Sequence, residues 1–142
     1  VETVYFETEG DVAKARQATE SVLAQGADFV IHQANSAAQG VFDACKEKGA
    51  SAIGTNADQN GNASGAVVAS ATIVAGPAFL DLAKRVKAGT YKGEVTLIGM
   101  DKGAVDFVIS PKATFSAETR KRVDEAKADL KAGKLVAPKD EF

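Results

Sequence analysis

The sequence predicts an α/β fold: a three-layer, doubly wound and mainly parallel sheet, flavodoxin-like. Three observations carry this. Short apolar runs rich in β-branched and aromatic residues alternate with stretches of helical periodicity. Glycine or proline punctuates most junctions between them. The run Phe29-Val30-Ile31 is unbroken by polar residues, as expected of a parallel strand covered on both faces. At 142 residues the chain reads as a single domain, residues 1–142. The expected strand order is 2-1-3-4-5, with right-handed crossovers.

Val1–Phe6 reads as the first strand, and Glu7-Thr8-Glu9-Gly10 as a polar turn. Asp11 is placed to cap a helix, since its carboxylate can accept from the free N–H groups of the first turn. Val12, Ala15, Ala18, Val22 and Leu23 recur at helical spacing, and Gly26 ends that helix in a left-handed cap. Phe29–Ile31 is the second strand. Ser36 followed by Gln39 matches a capping box, opening a helix that turns Val41, Phe42 and Cys45 inward and stops at Gly49. Ala52-Ile53 is the third strand, residues 60–65 form a turn-rich loop, and the fourth strand runs from Val67 to about Ala71. A helix follows from about Val74, with Pro77 in its first turn, a buried stripe of Phe79, Leu80, Ala83 and Val86, and Gly89 as its cap. Glu94–Met100 reads as the fifth strand and Val105–Ile109 as a further one ended by Pro111. The helix from Ser116 to about Ala132 is highly charged. Its thin stripe of Val123, Ala126 and Leu130 predicts weak packing before Gly133 stops it.

Composition excludes several classes. A net charge of −2 implies no strongly basic face for nucleic acid. No run reaches the ~18 apolar residues of a membrane span. A single cysteine, Cys45, rules out an internal disulfide. The opening residues have neither a basic n-region nor an apolar h-region, and the absence of an initiating Met fits a mature or truncated chain.

No catalytic constellation emerges. His32 is the lone histidine, at a strand end, where hydrogen bonding or packing is commoner than general-base work. There is no nucleophile elbow, no metal-ligand cluster, no G-x-G-x-x-G after the first strand and no Walker sequence, so no cofactor is expected. Asp58-Gln-Asn60-Gly-Asn62 departs from a calcium loop at Ala63 and Ala69. A phosphoacceptor receiver is the rival from another class. Glu7, Glu9, Asp58, Ser70 or Thr72, and Lys102 fall near its acidic, hydroxyl and lysine positions, but Lys102-Gly103 replaces its Lys-Pro step.

The binding reading uses the same sheet edge, where ligands of open parallel sheets gather. After the second strand, Ala34–Ala38 brings a helix N-terminus to the surface, with Asn35 and Ser36 at its start. After the third, Asn56 and Asp58 follow. A carboxylate such as Asp58 suits the two hydroxyls of a vicinal diol. His32 or Gln33 can meet a heteroaromatic ring, and Lys102 can donate to ligand oxygens.

Three blocks from this region, 26–34, 39–49 and 52–59, together with 86–100 and the ending 132–138, resemble the basic membrane protein family. These are substrate-binding lipoproteins of ABC importers with a type I periplasmic binding protein fold. The resemblance runs over almost the whole chain. It implies a non-enzymatic, two-lobed receptor that closes on a purine nucleoside or related purine and delivers it to a membrane permease. It also implies a periplasmic or membrane-anchored extracytoplasmic location. The chain matches the second lobe only. Residues 112–142 would then pack on this sheet, on the missing first lobe or on a partner, and the exposed cleft or hinge face could self-associate. The family's glycine-rich loop stands here as Ala34-Asn35-Ser36-Ala37-Ala38. Its Asp-x-Asp-Gln stands as Asn56-Ala57-Asp58-Gln59, which carries the ribose-binding carboxylate onto Asp58.

Overall fold

The computed structural model describes residues 1–5 and 10–137. The predicted turn at Glu7–Glu9, with the two acids of the receiver reading, lies outside these residues, as do Phe6 and the end of the tail. The chain divides into two compact units, Val1–Thr72 with Phe107–Ala113, and Ile73–Asp106 with Thr114–Phe142.

The first unit is built around helices α1 (Val12–Ala24) and α2 (Ala38–Lys48) and strands β1 (Phe29–Ile31), β2 (Ser51–Asn56) and β3 (Val67–Ile73), the last reaching one residue beyond it. Asp11 caps α1 as expected, its Oδ1 accepting from the Lys14 N–H at 3.0 Å. Gly26 and Gly49 take left-handed backbones at the helix ends, with φ of 94° and 69°. β1, β2 and β3 are parallel, in register Val30↔Ala52 and Gly54↔Ser70, with a bulge opposite Ala52/Ile53.

The two helices lie side by side. They come close at Gly40, where an added Cβ would sit 2.1 Å from the Val12 carbonyl oxygen. The core gathers Ala15, Val41, Phe42, Cys45, Ala52 and Val67, with Leu23 and Val30 packed against it. Small residues dominate it, which is why helices and sheet come so close. Val30 and Ala52 point to the helices. By the two-residue period, Phe29, Ile31 and Ile53 point to the opposite face.

The second unit holds α3 (Gly76–Lys87), a 3-10 turn at Met100–Lys102 and α4 (Ala117–Lys131). Ser116 caps α4 through its Oγ, 3.0 Å from the Thr119 N–H. No residue of α4 is buried, matching its thin stripe, and Lys127 ties it to Asp106 at 2.7 Å. The fourth strand, β4 (Val105–Ile109), completes a sheet of order β1-β2-β3-β4. The bonds Ser110 N–H to Val68 O and Val74 N–H to Ala104 O run it antiparallel to β3.

The α/β class and the mainly parallel sheet are as expected, but four details need correction. Residues 1–5 and 94–99 form no strand. Both have high β propensity, and propensity yields a strand only where a neighbour accepts its ladder bonds. The expected order put Val1–Phe6 between Phe29–Ile31 and Ala52-Ile53, whereas among the described strands those two pair directly, in the order β1-β2-β3-β4. The stripe on α3 is exposed, Phe79 at 69% and Leu80 at 57%, because periodicity tells which face a helix can bury but supplies no surface to bury it on. The Ser36–Gln39 capping box is absent. A 3-10 turn, Asn35–Ala37, precedes α2, Ala37 is its N-cap, and no side chain caps it. Gln39 bonds Asp43 and Asn62 instead.

Candidate functional site

Parallel pairing brings the carboxyl ends of β1 and β2 to one edge of the first unit. His32 follows β1 directly. It is 8% exposed, and its ring stands edge-on to Phe42 of α2, with centroids 5.1 Å apart. The Ala34 N–H donates to Nδ1 at 3.1 Å. That leaves the proton on Nε2, which faces Gln59 Oε1 at 3.1 Å. Burial holds the His32 pKa below the ordinary imidazole value, with the Gln59 bond pulling weakly upward. The ring is neutral at pH 7, and both nitrogens are engaged within the protein. His32 therefore holds the two loops in place.

Gln59 is the centre of this arrangement. Its Oε1 also accepts from the Thr55 N–H at 2.9 Å, and its own N–H donates to Ser70 Oγ at 3.0 Å. The side chain folds back over Gly54, where a Cβ would stand 2.7 Å from Oε1 and 2.9 Å from Ser70 Oγ. Only glycine leaves room there. Ser70 passes the chain of bonds on to Asn60 Oδ1 at 3.2 Å, and Asn60 Nδ2 reaches the Val108 carbonyl at 3.1 Å. Sequence reading noted Gln59 only as part of a motif. Its role depends on a side chain folding back four residues, which no spacing pattern announces.

Outside this buried network lie the exposed groups. Asn56 Nδ2 donates to Asn35 Oδ1 at 3.1 Å, joining the loop after β1 to the end of β2. Both asparagines hold left-handed backbones, φ 45° at Asn35 and 67° at Asn56. They are the non-glycine residues with positive φ among those described. Asparagine tolerates this region better than most side chains, yet such residues concentrate where a site is preorganised. Asp58 is exposed, with Oδ1 accepting the Asn60 N–H at 3.0 Å. Gln33 and Ser36 are also exposed on this edge.

The structure thus joins Asn35 to Asn56, and ties His32 and Asp58 to the network around Gln59. Lys102 belongs to the second unit, in the 3-10 turn, and is exposed. Among the described residues no group of His, Cys, Asp and Glu could hold a metal ion. Cys45 is fully buried and its thiol is pushed up to about 11 by burial, so it is no nucleophile.

Residues 1–140 match the family model described as Bmp, ABC transporter substrate-binding protein PnrA-like. The chain belongs to this family. The Bmp family is one of substrate-binding proteins. A relative named purine-binding protein, from Brucella abortus (strain 2308), is 25% identical over 135 residues, covering 95% of this chain and 37% of its own length. Solved structures share the fold. An ABC transporter solute-binding protein from Conexibacter woesei aligns with a TM-score of 0.70 at 18% identity, over 96% of this chain and 46% of its own. One from Aeropyrum pernix K1 aligns at 0.72 and 20% identity, over 92% and 46%. A transcriptional activator of the comK gene from Bacillus halodurans aligns at 0.80 and 18% identity, over 94% and 47%. The chain spans about a third to a half of the length of these relatives.

Proposed function

We propose that this Bmp-family chain is the ligand-binding second lobe of an ABC-importer receptor, and that the β1/β2 edge holds a purine nucleoside or related purine. The observation that carries the reading is the Asn35–Asn56 bond between two left-handed asparagines, two residues along the chain from the exposed Asp58. These are fixed polar groups on rigid elements, the form a specific binding edge takes. Asp58 accepts from the ribose diol. Asn35, Ser36 and the uncapped start of α2 offer donors, and Gln33 lies beside them. His32 and Gln59 hold this edge from beneath. The name of the Brucella relative supports a purine as the ligand class. The other lobe and a membrane permease complete the system, at an extracytoplasmic location. Glu7 and Glu9 of the receiver reading fall outside the described residues, and no bond in the network favours that reading.

The test is calorimetric titration of the longer protein that contains this lobe with adenosine, guanosine, inosine and free purine bases. No heat with any of them refutes the purine assignment. Asp58→Ala removes charge-assisted bonds to the diol and should weaken a nucleoside by about 10- to 100-fold, with little effect on a free base. Equal losses for both would refute the role given to Asp58.

A further inference from the structure

Residues 59–62 form a turn, closed by the Asn62 N–H donating to the Gln59 carbonyl at 2.9 Å. Asn60 and Gly61 are its central pair. Of the asparagines in the sequence, Asn60 alone precedes a glycine; Asn35, Asn56 and Asn62 precede Ser36, Ala57 and Ala63. This neighbour matters chemically. The backbone nitrogen of the following residue can attack an asparagine Cγ, and a side chain on that residue obstructs the approach. Gly61 has no side chain and is exposed, and an added Cβ there would meet nothing within 4 Å. Solvent reaches the turn at this residue.

The carboxamide under attack is held at both ends. Asn60 Nδ2 donates to the Val108 carbonyl of β4 at 3.1 Å, and Oδ1 accepts from Ser70 Oγ at 3.2 Å. Ser70 is fully buried and itself accepts from the Gln59 N–H at 3.0 Å. The nitrogen that must depart is therefore tied to a strand, and the attacked carbon cannot pivot until both bonds open. All of these groups lie within the first unit.

We infer that Asn60-Gly61 is a site of spontaneous deamidation that the folded chain keeps closed, and that its conversion unties the Gln59 network. The Gly61 nitrogen loses its proton to hydroxide and bonds to Asn60 Cγ. The Cγ–Nδ2 bond breaks, and that nitrogen takes up a proton and leaves as ammonia. Water then opens the cyclic imide. Breaking the Cγ–N bond gives aspartate. Breaking the bond from nitrogen to the backbone carbonyl carbon gives isoaspartate, whose main chain runs through Cβ. No electrons change hands, and exchanging NH2 for OH adds about 1 Da.

Either product carries a carboxylate in place of the carboxamide. The donor to Val108 is lost, and an acceptor is left to face an acceptor. A second negative charge also joins Asp58 in the same loop. Isoaspartate further lengthens the main chain of the turn and breaks its closing bond. Gln59 then loses the anchored neighbour that fixes it, and Thr55 and His32 lose the acceptor they share. In the folded chain the reaction proceeds only during the fraction of time the loop is open.

Peptide mass spectrometry of the protein aged in mildly alkaline buffer tests the site. A gain of about 1 Da should appear on the peptide that holds Asn60-Gly61, and should form at least about 10-fold more slowly in the native state than in guanidinium. Equal rates overturn the proposal. A faster native rate also overturns it, because Ser70 would then be stabilising the oxyanion of the attack. Gly61→Ala fits the open space beside the turn. It should slow the mass gain in guanidinium at least about 10-fold and move the native melting temperature by no more than about 2 °C. An undiminished rate in this variant overturns the assignment to Asn60. Ion exchange separates the aged protein by its added charge. Its urea midpoint should fall by about 0.5–1 M, with faster exchange of the Thr55 and Gln59 amides. Asn60→Asp should reproduce that fall. Unchanged midpoints in both would refute the untying of the network. None of these readouts depends on a bound ligand.

Discussion

Replacing Gln59 by alanine should show how the candidate edge is held. The substitution removes one oxygen that serves two donors, the Thr55 N–H at 2.9 Å and His32 Nε2 at 3.1 Å. Each donor left without an acceptor costs about 1–3 kcal/mol when water is excluded. The loop is half-buried, so water replaces part of what is lost, and the expected destabilisation is about 2–3 kcal/mol. With a urea m-value of roughly 2 kcal/mol per molar, the midpoint falls by about 1 M at unchanged m. Gln59→Glu separates the bond from the side chain's bulk. It keeps an acceptor for both donors and draws the His32 pKa upward, so it should retain most of the midpoint at pH 7.5. A loss below about 0.5 kcal/mol for Gln59→Ala would place it among ordinary surface substitutions and refute the bridging role.

Acidification should destabilise the protein through His32. Its folded pKa lies below the unfolded value, so the unfolded chain binds the proton first. The stability contributed is whole above about pH 6.5 and is lost as pH falls from there through the folded pKa. His32→Gln should flatten that part of a stability–pH profile measured by urea unfolding. Gly40→Ala should cost about 1–3 kcal/mol, because its Cβ meets the Val12 backbone oxygen at 2.1 Å and α1 and α2 must move apart. An unchanged thermal midpoint would contradict that packing. Cys45 should resist a thiol reagent at pH 8 in the native state and react fully on unfolding, given complete burial and a pKa raised to about 11.

What was legible in the sequence divides along a physical line. Features decided within a few residues were read correctly. Asp11 caps its helix, Gly26 and Gly49 end theirs, and Phe42 and Cys45 face inward, because each depends on local backbone donors or on helical period. Features that need a distant partner were misread. Ser36 and Gln39 have the spacing of a capping box, but Gln39 is drawn to Asn62, 23 residues away. Residues 94–99 have strand composition and no ladder. The site shows the same division. Asn35, Asn56 and Asp58 were legible from their place after the strands. The Asn35–Asn56 bond joins residues 21 apart, and Gln59 reaches His32 across 27, so neither could be read from the chain in order.

The buried network commits the polar groups at this edge to one another. A general base needs a free lone pair near its reactant. The His32 lone pair is taken by the Ala34 N–H and its proton by Gln59, and burial holds the ring neutral. Ser70, the buried hydroxyl nearest the network, donates to Asn60 and accepts from Gln59. Each potential actor is thus committed to holding another in place. Asn35, Asn56 and Asp58, the last exposed, only donate or accept hydrogen bonds. Freeing His32 by Gln59→Ala would therefore loosen the loops without creating an active base, because burial and the Ala34 N–H still oppose protonation of the ring. The variant should lose stability and any ligand affinity together, and should gain no hydrolytic activity toward nucleosides. A measurable gain would overturn the view of His32 as a positioning residue.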